Sequence, residues 1–96
     1  MTAYVIYHQT EISDPDAYQR DYAGPARASI AKFGGRQLIG DEFEVIEGTW
    51  TGPRIVVHEF PDMETLKRWY DSDDFKPLIK LRQSLAKGNL IIAEGY

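Results

Sequence analysis

Three short segments of this chain are rich in aromatic and β-branched residues and carry apolar side chains on both faces of an extended strand. They span residues 3–10, 54–60 and 90–94. In an antiparallel sheet with one face in water, apolar and polar residues alternate along each strand. In the first segment Tyr4 and Ile6 point to one side while Val5 and Tyr7 point to the other. A sheet built from these strands therefore needs cover on both faces.

Two helical patterns separate these segments. Ser13-Asp14-Pro15 opens the first, with Asp14 as the N-cap and Pro15 at the first helical position. Its apolar face, at steps of four and three residues, comprises Tyr18, Tyr22, Ala26, Ile30 and Phe33. Gly24-Pro25 is expected to kink or restart this helix, and Gly34-Gly35 to end it.

The second helical pattern begins after Pro61, with Asp62 as its N-cap. Its apolar stripe comprises Met63, Leu66, Trp69 and Tyr70. Residues 71–74 interrupt it, and a further helical segment then carries Phe75, Leu78, Leu81 and Leu85 on one face. Pro77 falls in the first turn of that segment, and Gly88-Asn89 is expected to stop it.

The remaining strand is predicted within residues 36–47, which form an extended stretch weakened at Gly40-Asp41. Phe43–Glu47 is its most strand-like part, and a turn within residues 48–53 would join it to the next strand as a hairpin. The order is therefore β-α-β-β-α-β in one α+β domain over residues 1–96. Right-handed crossovers then give a ferredoxin-like, four-stranded antiparallel sheet in the order 4-1-3-2, with both helices on one face.

Two helices can cover only one face of such a sheet. A 96-residue chain buries about two thirds of the surface that its unfolded form exposes, so apolar surface on the other face needs a partner. An exposed patch beyond a few hundred Å² is rare on a monomer. A second copy of the chain is the simplest cover, because two-fold closure is the commonest symmetry. We expect a homodimer.

Composition excludes several classes of function. The formal net charge is −4 and the basic residues are scattered, which disfavours nucleic acid and an anionic membrane surface as partners. The chain has no cysteine, so it has no disulfide, thiolate metal site or cysteine nucleophile. The N-terminus lacks the pattern of a secretory signal, and no apolar run approaches the roughly 20 residues of a membrane span. We expect a cytoplasmic protein.

Several short motifs are distributed along the chain. They are Asp14-Pro15-x-x-Tyr18, Phe33-Gly34-Gly35-Arg36, Glu47-Gly48-x-Trp50, Arg54-x-Val56-Val57-x-Glu59-Phe60-Pro61, Trp69-Tyr70-x-Ser72-x-x-Phe75 with Arg82, and Glu94-Gly95. Together they resemble a bacterial family catalogued as domain of unknown function 1330, and the resemblance covers essentially the whole chain. It implies a dimeric α/β barrel, similar to antibiotic-biosynthesis monooxygenases, muconolactone isomerase and EthD-like proteins, which hold small, often aromatic molecules beside the sheet. His58 stands where an aliphatic residue is more usual for this pattern.

His58 is the candidate catalytic residue, because histidine titrates near neutral pH and can move a proton. Arg54 shares its strand parity four residues earlier and is a candidate anion contact, whereas Glu59 points to the opposite face and cannot orient His58. Tyr22 and Trp69 are candidate substrate-binding aromatics. The alternatives are a hydrogen-bonded structural histidine, an arginine paired with a neighbouring strand or chain, and aromatics that are simply core.

Other polar residues favour structural roles. His8 is predicted to lie several residues from His58 along the neighbouring strand, which argues against a metal site shared by the two within one subunit. Asp71, Asp73 and Asp74 do not match a calcium loop, and helix capping explains them better. Arg82 would form an ion pair under the helix or serve as an anion contact. We predict no metal and no tightly bound cofactor.

These residues support two hypotheses for function. The first is a cofactor-independent enzyme or binding domain for a small aromatic or acidic molecule, held in a cavity beside the sheet. The alternative is a non-catalytic dimerisation or stress-associated module, in which side chains fill that space. A heme-degrading role ranks below both, and it would require a histidine facing an open cavity.

Overall fold

A computed structural model describes residues 1–40 and 42–96, and it confirms the predicted order of elements. The strands are β1 (Ala3–Ile12), β2 (Arg36–Ile39), β3 (Arg54–Phe60) and β4 (Ala86–Glu94). The helices are α1 (Pro15–Ala17), α2 (Gly24–Lys32), α3 (Met63–Tyr70) and α4 (Lys76–Leu85), with a π-helical segment at Tyr18–Ala23. The sheet is antiparallel in the order β2-β3-β1-β4, which is the predicted 4-1-3-2 arrangement.

The first helical region is continuous but changes type. The Asp14 side chain accepts a hydrogen bond from the backbone N–H of Ala17 at 3.0 Å, which confirms the predicted N-cap. Pro25 has no N–H to donate to a carbonyl one turn earlier, so the regular α-helical ladder cannot run through it. The chain accommodates this with the π-helical segment directly before Gly24. Gly34 adopts a positive φ of 79°, as predicted for a helix end.

The second strand is shorter than predicted, and the assignment of Phe43–Glu47 to a strand is wrong. β2 ends at Ile39, after a register shift between Gln37 and Ile39 in its pairing with β3. Beyond that irregularity the chain leaves the sheet, and residues 42–53 form a loop without strand pairing. Asp41, at which the predicted strand was expected to weaken, lies outside the described residues.

The prediction that Gly88-Asn89 stops the last helix is also wrong in position. α4 ends at Leu85, and β4 begins at Ala86 and runs through both residues. A Cβ atom on Gly88 would lie 2.4 Å from the carbonyl oxygen of His8 and 2.8 Å from the Tyr7 ring. Gly88 is therefore a strand glycine that permits close approach of β1, rather than a helix terminator.

The register of the sheet separates two faces, as predicted. Val5 lies opposite His58, and Tyr7 lies opposite Val56, on the face that the helices cover. The outer face carries partly exposed apolar residues of β1, β3 and β4, namely Tyr4, Ile6, Ile55 and Ile91. The core is built on the helix side, where Phe60, Leu66 and Phe75 are almost completely buried. Within the described residues, no helix is long and apolar enough to cross a membrane.

Candidate functional site

A cavity lies between the helix-covered face of the sheet and the helices, and we call it the helix-side cavity. The space between its lining atoms is about 550 Å³ including the open mouth. The sheet contributes Val5, Tyr7, Arg54, Val56 and His58, and the helices contribute Tyr18, Tyr22, Arg27, Trp69 and Arg82. Side chains therefore do not fill this region completely, and room for several water molecules remains.

All four residues that the sequence singled out line this one cavity. They are His58, Arg54, Tyr22 and Trp69. Two come from the same face of β3, as their parity predicted, and two come from helices packed over that face. Their catalytic and binding roles stay predictions.

His58 projects from β3 toward the helices, opposite Val5 of β1. Its Nε2 atom is buried, and nothing within residues 1–40 and 42–96 forms a hydrogen bond with it. Burial, reinforced by the positive charge of Arg27, lowers the pKa of His58 from 6.5 to about 4. The imidazole is therefore neutral at pH 7, which leaves it able to accept a proton or a hydrogen bond.

Arg54 lies beside Tyr18 at one end of the cavity. The carbon of its guanidinium is 5.5 Å from the centre of the Tyr18 ring, which is cation–π range. Across the strand pair, Gln9 is fully buried, and neither polar atom of its amide has a hydrogen-bond partner in the described part of the chain. The cation at this end of the cavity therefore has an unsatisfied buried amide on the neighbouring strand.

Arg82 reaches the cavity from α4 and is only 5% exposed. Its guanidinium carbon is 5.1 Å from the centre of the Tyr7 ring and 5.9 Å from that of Tyr22. The Nη1 atom donates to the Tyr22 hydroxyl at 3.4 Å, a long hydrogen bond. Burial raises the pKa of both phenols, although the charge of Arg82 partly offsets that rise. The two phenols are thus neutral at pH 7.

Trp69 serves the core as well as the cavity wall. Its indole N–H donates to the Ser29 hydroxyl at 3.0 Å, and that hydroxyl donates to the carbonyl of Ala26 at 2.7 Å. Its ring lies 5.1 Å from Phe60 and 4.1 Å from Phe75, measured between ring centres. The predicted alternative of a core aromatic is therefore also met, and the two roles are compatible.

His8 lies on the outer face, away from the cavity. Its Nε2 atom is hydrogen-bonded to the carbonyl of Thr51, and its ring lies 4.0 Å from that of Trp50. His8 and His58 therefore cannot share a metal ion within the chain. No group of three or more potential metal ligands occurs among the described residues.

Two acidic side chains, those of Glu59 and Asp74, have ion-pair partners. Glu59 on the outer face pairs with Arg36 of β2, which agrees with the predicted alternative of cross-strand pairing. Asp74 pairs with Lys32 at 2.8 Å. The aspartates of residues 71–74 were expected to cap the next helix. Instead, the Ser72 hydroxyl accepts a hydrogen bond from the backbone N–H of Phe75 at 3.3 Å, directly before that helix.

Sequence reasoning missed three residues near the cavity: Tyr7, Arg27 and Gln9. The parity of β1 already placed Tyr7 with Val5, so its position could have been found once the covered face was known. Arg27 is an exposed residue of α2, and its approach to His58 depends on how that helix lies over the sheet. The burial of Gln9 follows from tertiary packing, since glutamine is ordinarily a surface residue.

Comparison with known proteins matches the chain to a family and to several solved structures. The model of the family described as domain of unknown function (DUF1330) matches residues 2–96. A protein of unknown function from Rhodopseudomonas palustris superimposes with a TM-score of 0.75 at 14% identity, covering 99% of this chain and 82% of that one.

Two further structures share the fold. An EthD family protein from Bacillus halodurans has a TM-score of 0.64 at 16% identity, with both chains covered completely. SnoaB from Streptomyces nogalater, a cofactor-independent oxygenase, has a TM-score of 0.60 at 11% identity, covering 98% of this chain and 91% of that one. No curated protein matches the sequence. The fold is that of the dimeric α/β-barrel proteins.

Proposed function

This chain belongs to the DUF1330 family, and since a domain of unknown function brings no reaction with it, we propose its function from the helix-side cavity. The cavity binds a small organic molecule, and His58 accepts a proton from it without a tightly bound cofactor. The observation that carries this proposal is the half-buried, neutral imidazole of His58, whose buried Nε2 has no hydrogen-bond partner among the described residues and faces a lined cavity. An unsatisfied buried polar atom is costly unless a ligand or water completes it.

The chemistry assigned to His58 is a simple proton transfer. In the tautomer protonated at Nδ1, the Nε2 atom presents a lone pair to the cavity. An acidic C–H or O–H bond of the ligand gives its proton to Nε2, which leaves an imidazolium and a ligand anion. Arg54 and Arg82 lie in the same cavity and would stabilise that anion. Tyr22 and Trp69 contact the body of the ligand.

The low pKa of His58 limits its strength as a base. A pKa of about 4 keeps the imidazole unprotonated at pH 7, but an effective general base has a pKa closer to the working pH. The negative charge that develops on the ligand as it gives up its proton would raise the pKa of His58, because a negative charge beside an imidazole favours its protonated form. The base would then strengthen only when a ligand is bound.

The fold neighbours are compatible with this proposal. SnoaB is described as a cofactor-independent oxygenase, and another neighbour, at 17% identity and a TM-score of 0.55, as an antibiotic biosynthesis monooxygenase. At these identities the likeness concerns the fold alone. It supports the proposal only in that such a fold can house chemistry on small organic molecules.

The experiment is a thermal-shift screen with small phenols, organic acids and enolisable ketones, followed by proton exchange in D₂O monitored by NMR for each hit. We expect the protein to accelerate exchange at an acidic position of a bound compound, and His58→Gln to abolish that acceleration. His8→Gln is the matched control, since His8 lies on the outer face of the same sheet. Unchanged exchange in His58→Gln would refute the role of His58, and the absence of any bound compound would favour a non-catalytic module.

We also propose that the chain is a cytoplasmic homodimer that pairs through its outer sheet face. Ile91 is 56% exposed there, and the adjacent loop exposes Phe43, Val45 and Ile46 by 40%, 46% and 80%. These residues extend the apolar area of the sheet, and a second copy offers the same surface in return. Light scattering should report twice the 11.0 kDa chain mass. Ile91→Lys should shift the protein toward the monomer, whereas Lys80→Glu on an exposed helical position should not.

A further inference from the structure

Arg82 is a buried cation without an acidic partner. It is 5% exposed, and its hydrogen bonds go to the hydroxyls of Tyr22 and Tyr70. Throughout residues 1–40 and 42–96, no carboxylate lies within ion-pair distance of its guanidinium. The chain has 15 acidic residues, so this lack of pairing does not reflect a shortage of carboxylates.

The surrounding phenols do not neutralise this charge. Burial holds the pKa of Tyr7 and of Tyr22 above the ordinary value of 10.0, so both are neutral at pH 7. A buried guanidinium that contacts only neutral groups retains a large part of its desolvation cost. An anion entering the helix-side cavity would offset that cost, because Arg82 lines the cavity and carries further N–H donors.

We propose that the ligand of the helix-side cavity is a single-ring aromatic carboxylate, with its carboxylate on Arg82 and its ring against the aromatic side chains that line the cavity. This inference deepens the proposed binding function and rests on it. The planar fork of a guanidinium suits a carboxylate, which it can hold through two parallel hydrogen bonds. The flanking phenol rings offer flat surfaces against which an aromatic ring can pack.

The geometry of the sheet sets the length of the ligand. His58 lies one strand across and two residues along from Tyr7 in the β1–β3 register. Strand spacing and rise place the two backbone positions roughly 8 Å apart. Since Arg82 lies over the Tyr7 ring, a ligand that is held by Arg82 and extends toward His58 is about the size of one carboxylate-bearing ring. Arg82 then binds the carboxylate of the ligand, and His58 accepts a proton from the opposite edge of the ligand.

The test compares benzoate with benzamide, which has the same shape without the charge. Binding is measured by isothermal titration calorimetry and by quenching of tryptophan fluorescence, since Trp69 lines the cavity. 4-Hydroxybenzoate and salicylate extend the carboxylate series, and inorganic phosphate tests a non-aromatic anion. We expect the aromatic carboxylates to bind at least tenfold more tightly than benzamide and phosphate.

Variants of Arg82 assign the anion contact. Arg82→Gln should weaken benzoate about ten- to a hundredfold and leave benzamide unchanged, as expected for loss of a hydrogen bond to a charged group. Arg82→Lys should recover part of the affinity. Arg20→Gln is the control, because Arg20 is exposed and pairs with its neighbour Asp21 on the surface. Where Arg82→Gln fails to fold, two measurements still test the inference. They are the ratio of benzoate to benzamide affinity in the unmodified protein and the affinity of Arg82→Lys for benzoate.

His58→Gln separates this inference from the proposed reaction. Retained benzoate binding in His58→Gln supports the placement of the anion at Arg82, even where proton exchange on the ligand is lost or was never detected. Equal binding of benzoate and benzamide, with no effect of Arg82→Lys, would overturn the inference while leaving a ligand cavity in place. Failure of every carboxylate in the series to bind would overturn it as well.

Discussion

The buried imidazole of His58 should make the folded protein less stable in mild acid. Its pKa is about 4 in the folded chain and 6.5 when unperturbed, and burial is the main cause. Well above pH 6.5 the imidazole is neutral in both states and contributes no pH dependence. As the pH falls from 6.5 to about 4, the unfolded chain takes up a proton that the folded chain does not, so stability is lost across that window.

The size of this loss follows from the two pKa values. At pH 5 the difference in proton uptake amounts to about 2 kcal/mol of unfolding free energy. The imidazole is not completely buried, so screening by solvent reduces the expected value to about 1 kcal/mol. His58→Gln removes the titration but keeps a polar side chain of similar reach. It should therefore lose less stability between pH 7.5 and pH 5 than the unmodified protein, by about that amount.

Urea unfolding at both pH values, at one protein concentration, measures the two losses. His8→Gln controls for removal of a histidine from the same sheet, on its outer face. Subtracting the loss measured for one variant from that of another cancels the contribution of the carboxyl groups, which are the same in all three proteins. Equal losses in the unmodified protein and in His58→Gln would refute the reasoning. An NMR titration that gives His58 an ordinary pKa in the folded protein would refute it too.

Three further changes test the packing around the site. Gly88→Ala should destabilise the protein by about 1–3 kcal/mol in urea unfolding, because the added Cβ would lie 2.4 Å from the His8 carbonyl oxygen. The control is Gly24→Ala in a helix, where the added Cβ has no contact closer than 4.0 Å. This control should be neutral or stabilising. Asp62→Ala should lower the free energy of unfolding by about 1 kcal/mol through loss of the α3 N-cap, and Asp62→Asn should retain most of the stability that the cap provides. Urea unfolding measures both changes. Trp69→Phe should cost about 1–3 kcal/mol in thermal or urea unfolding, because it removes the indole N–H that a buried hydroxyl accepts.

Each of these changes has an outcome that contradicts the packing described. A fully stable Gly88→Ala protein would mean that β1 and β4 do not approach as closely as the structure has them. Equal destabilisation by Asp62→Ala and Asp62→Asn would show that the side-chain oxygen does not cap the helix. A neutral Trp69→Phe would show that the hydrogen bond to Ser29 contributes nothing to stability.

Local pattern determined much of the fold. The cap at Asp14, the helix end at Gly34 and the two-sided strands follow from residues that interact with near neighbours in sequence, so a window of a few residues contains the necessary information. Parity along β3 likewise placed Arg54 and His58 on one face. These predictions are confirmed because none of them depends on how distant elements meet.

The errors occurred where distant contacts override local preference. Phe43–Glu47 has strand-like composition, but β2 leaves the sheet after Ile39 and no strand pairs with that segment. Gly88 resembles a helix terminator, yet its lack of a Cβ is needed for contact with β1, about 80 residues away in the chain. Strand pairing is a property of two segments, and one segment read alone cannot reveal it.

The sequence by itself determined the order of the elements, the face that Arg54 and His58 share and the family to which the chain belongs. Only the tertiary structure decided that His58 and Arg82 share one cavity, because α4 must fold back over β1 to bring them together. It also decided that the imidazole is neutral and that the guanidinium has no acidic partner in the described chain, since both depend on burial. Burial is the sum of contacts from every packed element, and no local pattern in the sequence contains that sum.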